Sequence, residues 1–328
     1  MRVFVREDGR LRPGWRVTIY LLTYLLGMLA AQAVILGAYM TVLLLRGQTT
    51  VAELVARVRV LDLPLWLFVA LKAADVLWVL LLTGLFGRYV DKRRLADYGL
   101  QLSTGWLDDL ALGLALGAIQ MGVLLGIGWL GKWVAVAPLP APVFGLRVRD
   151  AALGLLLFVL VAVGEELTYR GYVQTNLQEG AVAGLQTAPP AGTVTRPARA
   201  GINSAALALT VSAILFGLSH ALNPNLTGLA MLNLILAGFA LGLGYWATGS
   251  LWLPMAYHLS WNFVQGSILG LPVSGMRYGG LLVVADLSKV PWLTGGAFGP
   301  EGGLLGTAAL LVTICVFWRR ARTPGRPD

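Results

Sequence analysis

An all-α, polytopic transmembrane helical bundle with about eight spans is the fold class this sequence predicts, and three observations predict it. Of its 328 residues 57% are hydrophobic and only 12% are charged, where a soluble domain carries about 25% charged residues. The mean hydropathy is +0.73. The apolar residues are also gathered into runs close to the ~20 residues that cross a hydrocarbon core.

The first run, Val17–Leu45, is too long for the apolar region of a signal peptide and has no clear small-residue cleavage site. Leu65–Phe86 follows and holds Lys72 and Asp75 three residues apart, spacing that predicts an ion pair inside the membrane in preference to an ion relay. The third span, Leu107–Leu130, starts at the polar pair Asp108 and Asp109, and its Gln120 is expected to bond across helices. Ala151–Leu177, Asn203–Leu222, Leu229–Trp246, Leu253–Leu269 and Leu304–Trp318 complete the eight. Trp15, Trp66, Trp106 and Trp318 fall near span ends, where interfacial tryptophans are expected. Cys315, the single cysteine, rules out an intrachain disulfide and reads as a small buried residue.

Two connections differ from the short loops. Glu179–Gly201, rich in Gly, Pro, Thr and Ala, reads as a flexible loop. Leu271–Gly303 mixes Gly and Pro with the apolar stretch Leu281–Val284, which can fold back against the membrane. No repeat relates the two halves, which argues against an inverted-repeat transporter. The chain divides into N-terminal helices over 1–150, a core over 151–270, and a loop or re-entrant segment with the last span over 271–328.

The formal net charge of +9 does not point to nucleic acid, because no basic groove with interleaved aromatics accompanies it. The basic residues sit in short loops and termini, and they orient the chain. With the N-terminus in the cytoplasm, fifteen of the 25 lie inside and eight outside, while Lys72 and Arg170 lie within spans. That bias predicts both termini on the cytoplasmic side.

The fourth span carries the chemistry. Gly164-Glu165-Glu166-Leu167-Thr168-Tyr169-Arg170-Gly171 places two carboxylates and a guanidinium in an otherwise apolar helix. An ionisable residue at mid-membrane costs at least ~2.5–3.5 kcal/mol and is by default a functional site. Glu166 and Arg170 are four apart on one helix face, acid first, the better order for a pair. Glu165 is rotated by about 100° from Glu166 and projects elsewhere. The only two histidines, His220 and His258, also lie in apolar segments. Phe216, one turn before His220, is placed to pack on the imidazole. Asn262 shares a face with His258, and together they suit a water or an oxyanion. Ser219 is not followed by the glycine of a nucleophile elbow, so it reads as a packing serine.

Glu165-Glu166-x-x-x-Arg170, Phe216-x-x-x-His220 and His258-x-x-x-Asn262, in that order, resemble the three motifs of the CAAX-protease and bacteriocin-processing (CPBP, or ABI) intramembrane endopeptidases. Gly249–Pro254 and Pro291–Gly296 look similar to the family's framing text, and the resemblance is clear over about Ala151–Phe263. It implies a catalytic core hydrolysing a peptide bond within the membrane. Glu165 would be the general base, His220 would position the water, and His258 and Asn262 would hold the oxyanion. Glu166, Arg170 and Phe216 would support them. The reading favours no cofactor. The alternative is zinc held by Glu165, His220 and His258, although the compact His-Glu-x-x-His signature is absent. The implied partners are the lipid bilayer and a membrane-anchored or membrane-associated protein or peptide substrate, with no nucleic acid. The implied location is a bacterial cytoplasmic membrane. The runner-up is a non-catalytic scaffold or immunity-type protein that keeps the fold, and a transporter stands third.

Overall fold

A computed structural model describes residues 4–5, 10–59, 63–138, 144–183, 202–281 and 283–322. Helix α1, Pro13–Leu45, begins where Arg12 is extended and Pro13 occupies the first turn, a position that needs no amide hydrogen. The short helix α2, Val51–Arg59, leads to α3, Leu65–Phe86, whose end widens into a π-helical turn over Gly87–Asp91. Side-chain hydrogen bonds pin α3 to α1. Trp78 Nε1 donates to the Tyr24 carbonyl at 3.2 Å, and Gln32 Nε2 donates to both Asp75 oxygens at 3.2 Å. The Trp78 ring fits because Gly27 has no side chain: a Cβ there would lie 2.1 Å from it.

Helix α4, Trp106–Leu130, precedes strand β1, Ala135–Pro138. Helix α5, Phe144–Glu166, continues through a π-helical stretch, Leu167–Gln174, into α6, Thr175–Ala183. Then come α7, Ile202–Leu218, and α8, Gly228–Thr248, which Thr227 caps by accepting the Ala230 amide at 3.1 Å. Helix α9, Trp252–Phe263, ends in a third π-helical turn, Val264–Ile268. Strand β2, Val283–Asp286, the short helix α10, Pro291–Thr294, and α11, Leu304–Arg322, complete the order.

Among the described residues six helical stretches are long and apolar enough to cross a membrane: Pro13–Leu45, Leu65–Asp91, Trp106–Leu130, Arg147–Gly180, Gly228–Thr248 and Leu304–Arg322. The protein is a multi-pass membrane bundle. The other two expected spans are shorter. The first, α7, stops at Leu218 just before His220, and the second, α9, gives way to its π turn just after Asn262. With its π turn α9 is helical from Trp252 to Ile268, close to the expected Leu253–Leu269, while α7 stops four residues before the expected Leu222.

Three further segments gain detail. The Leu281–Val284 stretch does not lie alone: Val283–Asp286 pairs antiparallel with Ala135–Pro138, Val283 opposite Pro138 and Asp286 opposite Ala135. Its backbone polar groups are thereby satisfied by a strand. The expected loop from Glu179 begins later, because α6 runs to Ala183, and the Pro189–Thr193 stretch lies outside the described residues. Cys315 is exposed on α11, not buried as its type suggests.

Ion pairs gather helix ends on one side. Arg16 at the start of α1 is fully buried and reaches Asp91 after α3 and Glu179 on α6, both at 3.2 Å. Arg320 at the end of α11 reaches Asp109 at the start of α4 at 2.8 Å. Gln120 makes the expected interhelical bonds, donating to the Ala309 carbonyl at 3.1 Å and accepting from the Tyr257 hydroxyl at 2.9 Å.

Candidate active site

Helix α5 brings Glu165 and Glu166 to mid-bundle, and the π-helical stretch begins at the next residue. Such turns break the helical register and recur at functional sites. The register survives for the acid–base pair: Arg170 Nη1 lies 3.0 Å from Glu166 Oε1, with both side chains fully buried. Arg170 Nη2 donates to the Gly238 carbonyl on α8 at 3.0 Å, and one turn on Gln174 Nε2 donates to the Gly242 carbonyl at 3.0 Å. The absence of side chains at Gly238 and Gly242 lets α8 approach this closely; a Cβ at Gly238 would lie 2.8 Å from the Ala213 backbone.

Helix α7 delivers the first imidazole. Its Ser212 hydroxyl donates to the Tyr169 carbonyl at 2.8 Å, fixing α7 against α5. The Phe216 ring lies 4.8 Å from the His220 ring, as the sequence suggests, and it also stands under the Arg170 guanidinium at 4.4 Å. A cation over an aromatic face in a desolvated site is worth about 2 kcal/mol. His220 Nδ1 is 2.8 Å from the Phe216 carbonyl. A carbonyl only accepts, so Nδ1 carries the proton and Nε2 presents its lone pair. Ser219 donates to the Phe216 carbonyl at 2.7 Å, the packing role expected of it.

Helix α9 delivers the second. His258 Nδ1 donates to Glu166 Oε1 at 2.9 Å, so Glu166 takes both Arg170 and His258 on one oxygen. Asn262 follows one turn later on the same face and is buried. With each Nδ1 engaged, both Nε2 atoms turn to the same place: each lies 3.9 Å from Glu165 Oε2. That is beyond a direct hydrogen bond and suits a bridging water. Glu165 Oε2 has no other polar partner among the described residues, yet its side chain keeps 18% of its surface exposed.

The same three donors would have to hold zinc. Tetrahedral zinc with bonds of about 2.0–2.1 Å sets its ligand atoms about 3.3 Å apart, and here both imidazoles stand wider than that from Glu165. Among the described residues no group of three or more His, Cys, Asp or Glu is arranged as a metal site. The donors therefore do not fit zinc as they stand.

All seven residues picked out by the motifs lie on α5, α7 and α9 or immediately after them. Sequence reasoning did not place three residues near this site. Lys72 and Asp75 do form the expected ion pair, Nζ to Oδ2 at 3.5 Å, but they do so beside the site: both charges act on Glu165. Tyr278, in the segment after α9, packs its ring edge-on against Phe158 and Phe68 at 5.4 and 5.7 Å, and it too lies within electrostatic range of Glu165. No spacing rule links Tyr278 to α5, and no sequence signal points to it.

Residues 147–264 match the family model described as type II CAAX prenyl endopeptidase Rce1-like. The matched segment contains Glu165, Glu166, Arg170, Phe216, His220, His258 and Asn262, in agreement with the motif resemblance. No curated protein and no solved structure matches the chain.

Proposed function

From the match of residues 147–264 to the Rce1-like family model, we propose that the protein is an intramembrane endopeptidase cleaving a membrane-anchored or membrane-associated protein or peptide. The observation that carries the reading is the convergence of His220 Nε2 and His258 Nε2 on Glu165 Oε2, each at 3.9 Å. One water in that gap touches a base and an imidazole lone pair together.

The chemistry follows from the protonation each residue can hold. Glu165 takes a proton from the water as its oxygen attacks the scissile carbonyl, while His220 Nε2 orients the water. His258 in its protonated form has two N–H donors. Nδ1–H is spent on Glu166, and Nε2–H is left for the oxyanion, with the Asn262 amide as second donor. Preorganised donors of this kind contribute about 2.7–4 kcal/mol each in other hydrolases. Glu165 then returns its proton to the departing amine as the C–N bond breaks. Glu166 balances Arg170 and fixes the His258 ring. No step needs a metal.

The purified protein in lipid vesicles, given a membrane-anchored peptide, should release two fragments with a strong chelator present. Activity lost on chelation and restored by zinc, with stoichiometric bound zinc, would overturn the metal-free mechanism. No cleavage of a broad peptide set would favour the non-catalytic scaffold.

A further inference from the structure

His220 and Asn262 both sit at helix ends. His220 lies in the turn after α7, which stops at Leu218, and α9 gives way to its π turn two residues after Asn262. Backbone groups at a helix end lack intrahelical partners, so such positions are held by contacts from outside. Both are supported from the segment between α9 and α11. The Asn223 amide N–H donates to the His220 carbonyl at 3.0 Å, and Asn223 Nδ2 donates to the Ser274 carbonyl at 3.2 Å. On the α9 side Gln265, one turn after Asn262, donates to the Pro272 carbonyl.

One carboxylate joins the two supports. Glu301 Oε2 accepts from Gln265 Nε2 at 2.9 Å and from the Ser274 amide at 3.2 Å. A continuous path thus runs from the His220 carbonyl through Asn223, Ser274 and Glu301 to Gln265. Glu301 is itself anchored: its carbonyl accepts from Asn233 of α8 at 2.7 Å, and Asn233 accepts from Thr307 of α11 at 2.7 Å. Its carboxylate is closely packed, since a Cβ on Gly299 would lie 2.9 Å from Oε2. These hydrogen-bond donors are neutral, and burial pushes the carboxyl up to about 7. Among the described residues, the titratable groups acting on it are His258 on α9 and Tyr278 in the segment after α9. Helices α8 and α11 present Asn233 and Thr307, and the cation Arg277 donates to the Gly270 carbonyl instead, at 3.3 Å.

Resting on the protease reading, we propose that Glu301 is a positioning residue: through Ser274 and Gln265 it holds the His220 turn and α9 in register with Glu165. The assembled network keeps its proton up to a pH of about 7, whereas a carboxyl released to water loses it near the ordinary value of 4.5. Rising pH across that window therefore loosens the network, and the full effect is reached above pH 7.

The test is cleavage of one membrane-anchored peptide from pH 5.5 to 8 by the full-length wild-type protein and two variants. Glu301→Gln keeps an acceptor oxygen and stays neutral, and Asn223→Ala cuts the link to the His220 turn. The ratio of kcat for Glu301→Gln to that for wild type cancels the titration of Glu165 and the histidines, which both proteins share. It should stand near one at pH 5.5 and rise by about threefold to thirtyfold at pH 8, with KM little changed. A flat ratio would show a purely structural acid and overturns the proposal. So does a falling ratio, because a charge acting only on His258 would favour the imidazolium and preserve wild-type activity at high pH. Asn223→Ala should lower kcat about threefold to tenfold, the range of one hydrogen bond, in a protein that still folds. No loss in that variant overturns the proposal even if Glu301→Gln does not fold. No cleavage by wild type at any pH would instead sink the protease reading, and this inference with it.

Discussion

At the residue scale Glu166 joins two residues of the site through one oxygen: Arg170 at 3.0 Å and His258 at 2.9 Å share its Oε1. Removing its charge leaves Arg170 buried without a counter-ion, and breaking a buried pair by removing one partner typically costs about 3–5 kcal/mol. Glu166→Gln should therefore lower the unfolding temperature and activity together. Replacing Arg170 by Met in the same chain should recover part of the stability, read by thermal unfolding in detergent, without restoring cleavage. A stable but inactive Glu166→Gln protein would show instead that Glu166 touches the reacting atoms. The Glu166–Arg170 pair and the Phe216–His220 ring contact were legible in the sequence because both are local, one helical turn apart. The His258–Glu166 bond was not, because it joins residues 92 positions apart on helices whose relative rotation no spacing rule specifies.

Between elements, small residues govern the approach of helix to helix, as expected where lipid gives no hydrophobic drive. Gly113 and Gly117 on α4 face α9: a Cβ on Gly117 would lie 2.8 Å from the Tyr257 carbonyl and 2.1 Å from the Ser260 hydroxyl. Since α9 carries His258 and Asn262, pushing it away from α4 disturbs the site. Gly117→Leu should cost about 1–3 kcal/mol, the range for overpacking, and reduce cleavage, whereas Gly122→Leu on the same helix meets nothing within 4 Å and should be tolerated. Equal losses in the two variants, measured by thermal unfolding, would contradict this packing. Hydropathy located the six long helices closely, since length and apolarity are properties of one segment. It placed the α9 span well, Leu253–Leu269 against helix from Trp252 to Ile268, and overran α7, which ends at Leu218 where His220 sits in the following turn. It also missed the β1–β2 ribbon, whose strands are separated by more than 140 residues.

Across the whole molecule, the Arg16–Asp91–Glu179 cluster and the Arg320–Asp109 pair put the start of α1 and the end of α11 on one face. The sequence read Arg16 as a topogenic charge; its complete burial shows that it also ties α1 to the ends of α3 and α6. We propose that this face is cytoplasmic, from the excess of basic residues on it. In a Cys315→Ala background, Arg88→Cys and Arg319→Cys should resist an impermeant thiol reagent added to intact cells and react once the membrane is opened. Labelling in intact cells would invert the topology. The central claim is that Glu165 draws a proton from water in the gap it shares with two imidazoles. The most direct measurement is cleavage of a membrane-anchored peptide in 18O-labelled water by the wild-type protein and by Glu165→Gln, with folding checked by thermal unfolding. The account predicts that wild type places one labelled oxygen in the new carboxylate, while Glu165→Gln stays folded and releases no product. Labelled product from a folded Glu165→Gln protein at the wild-type rate would contradict it.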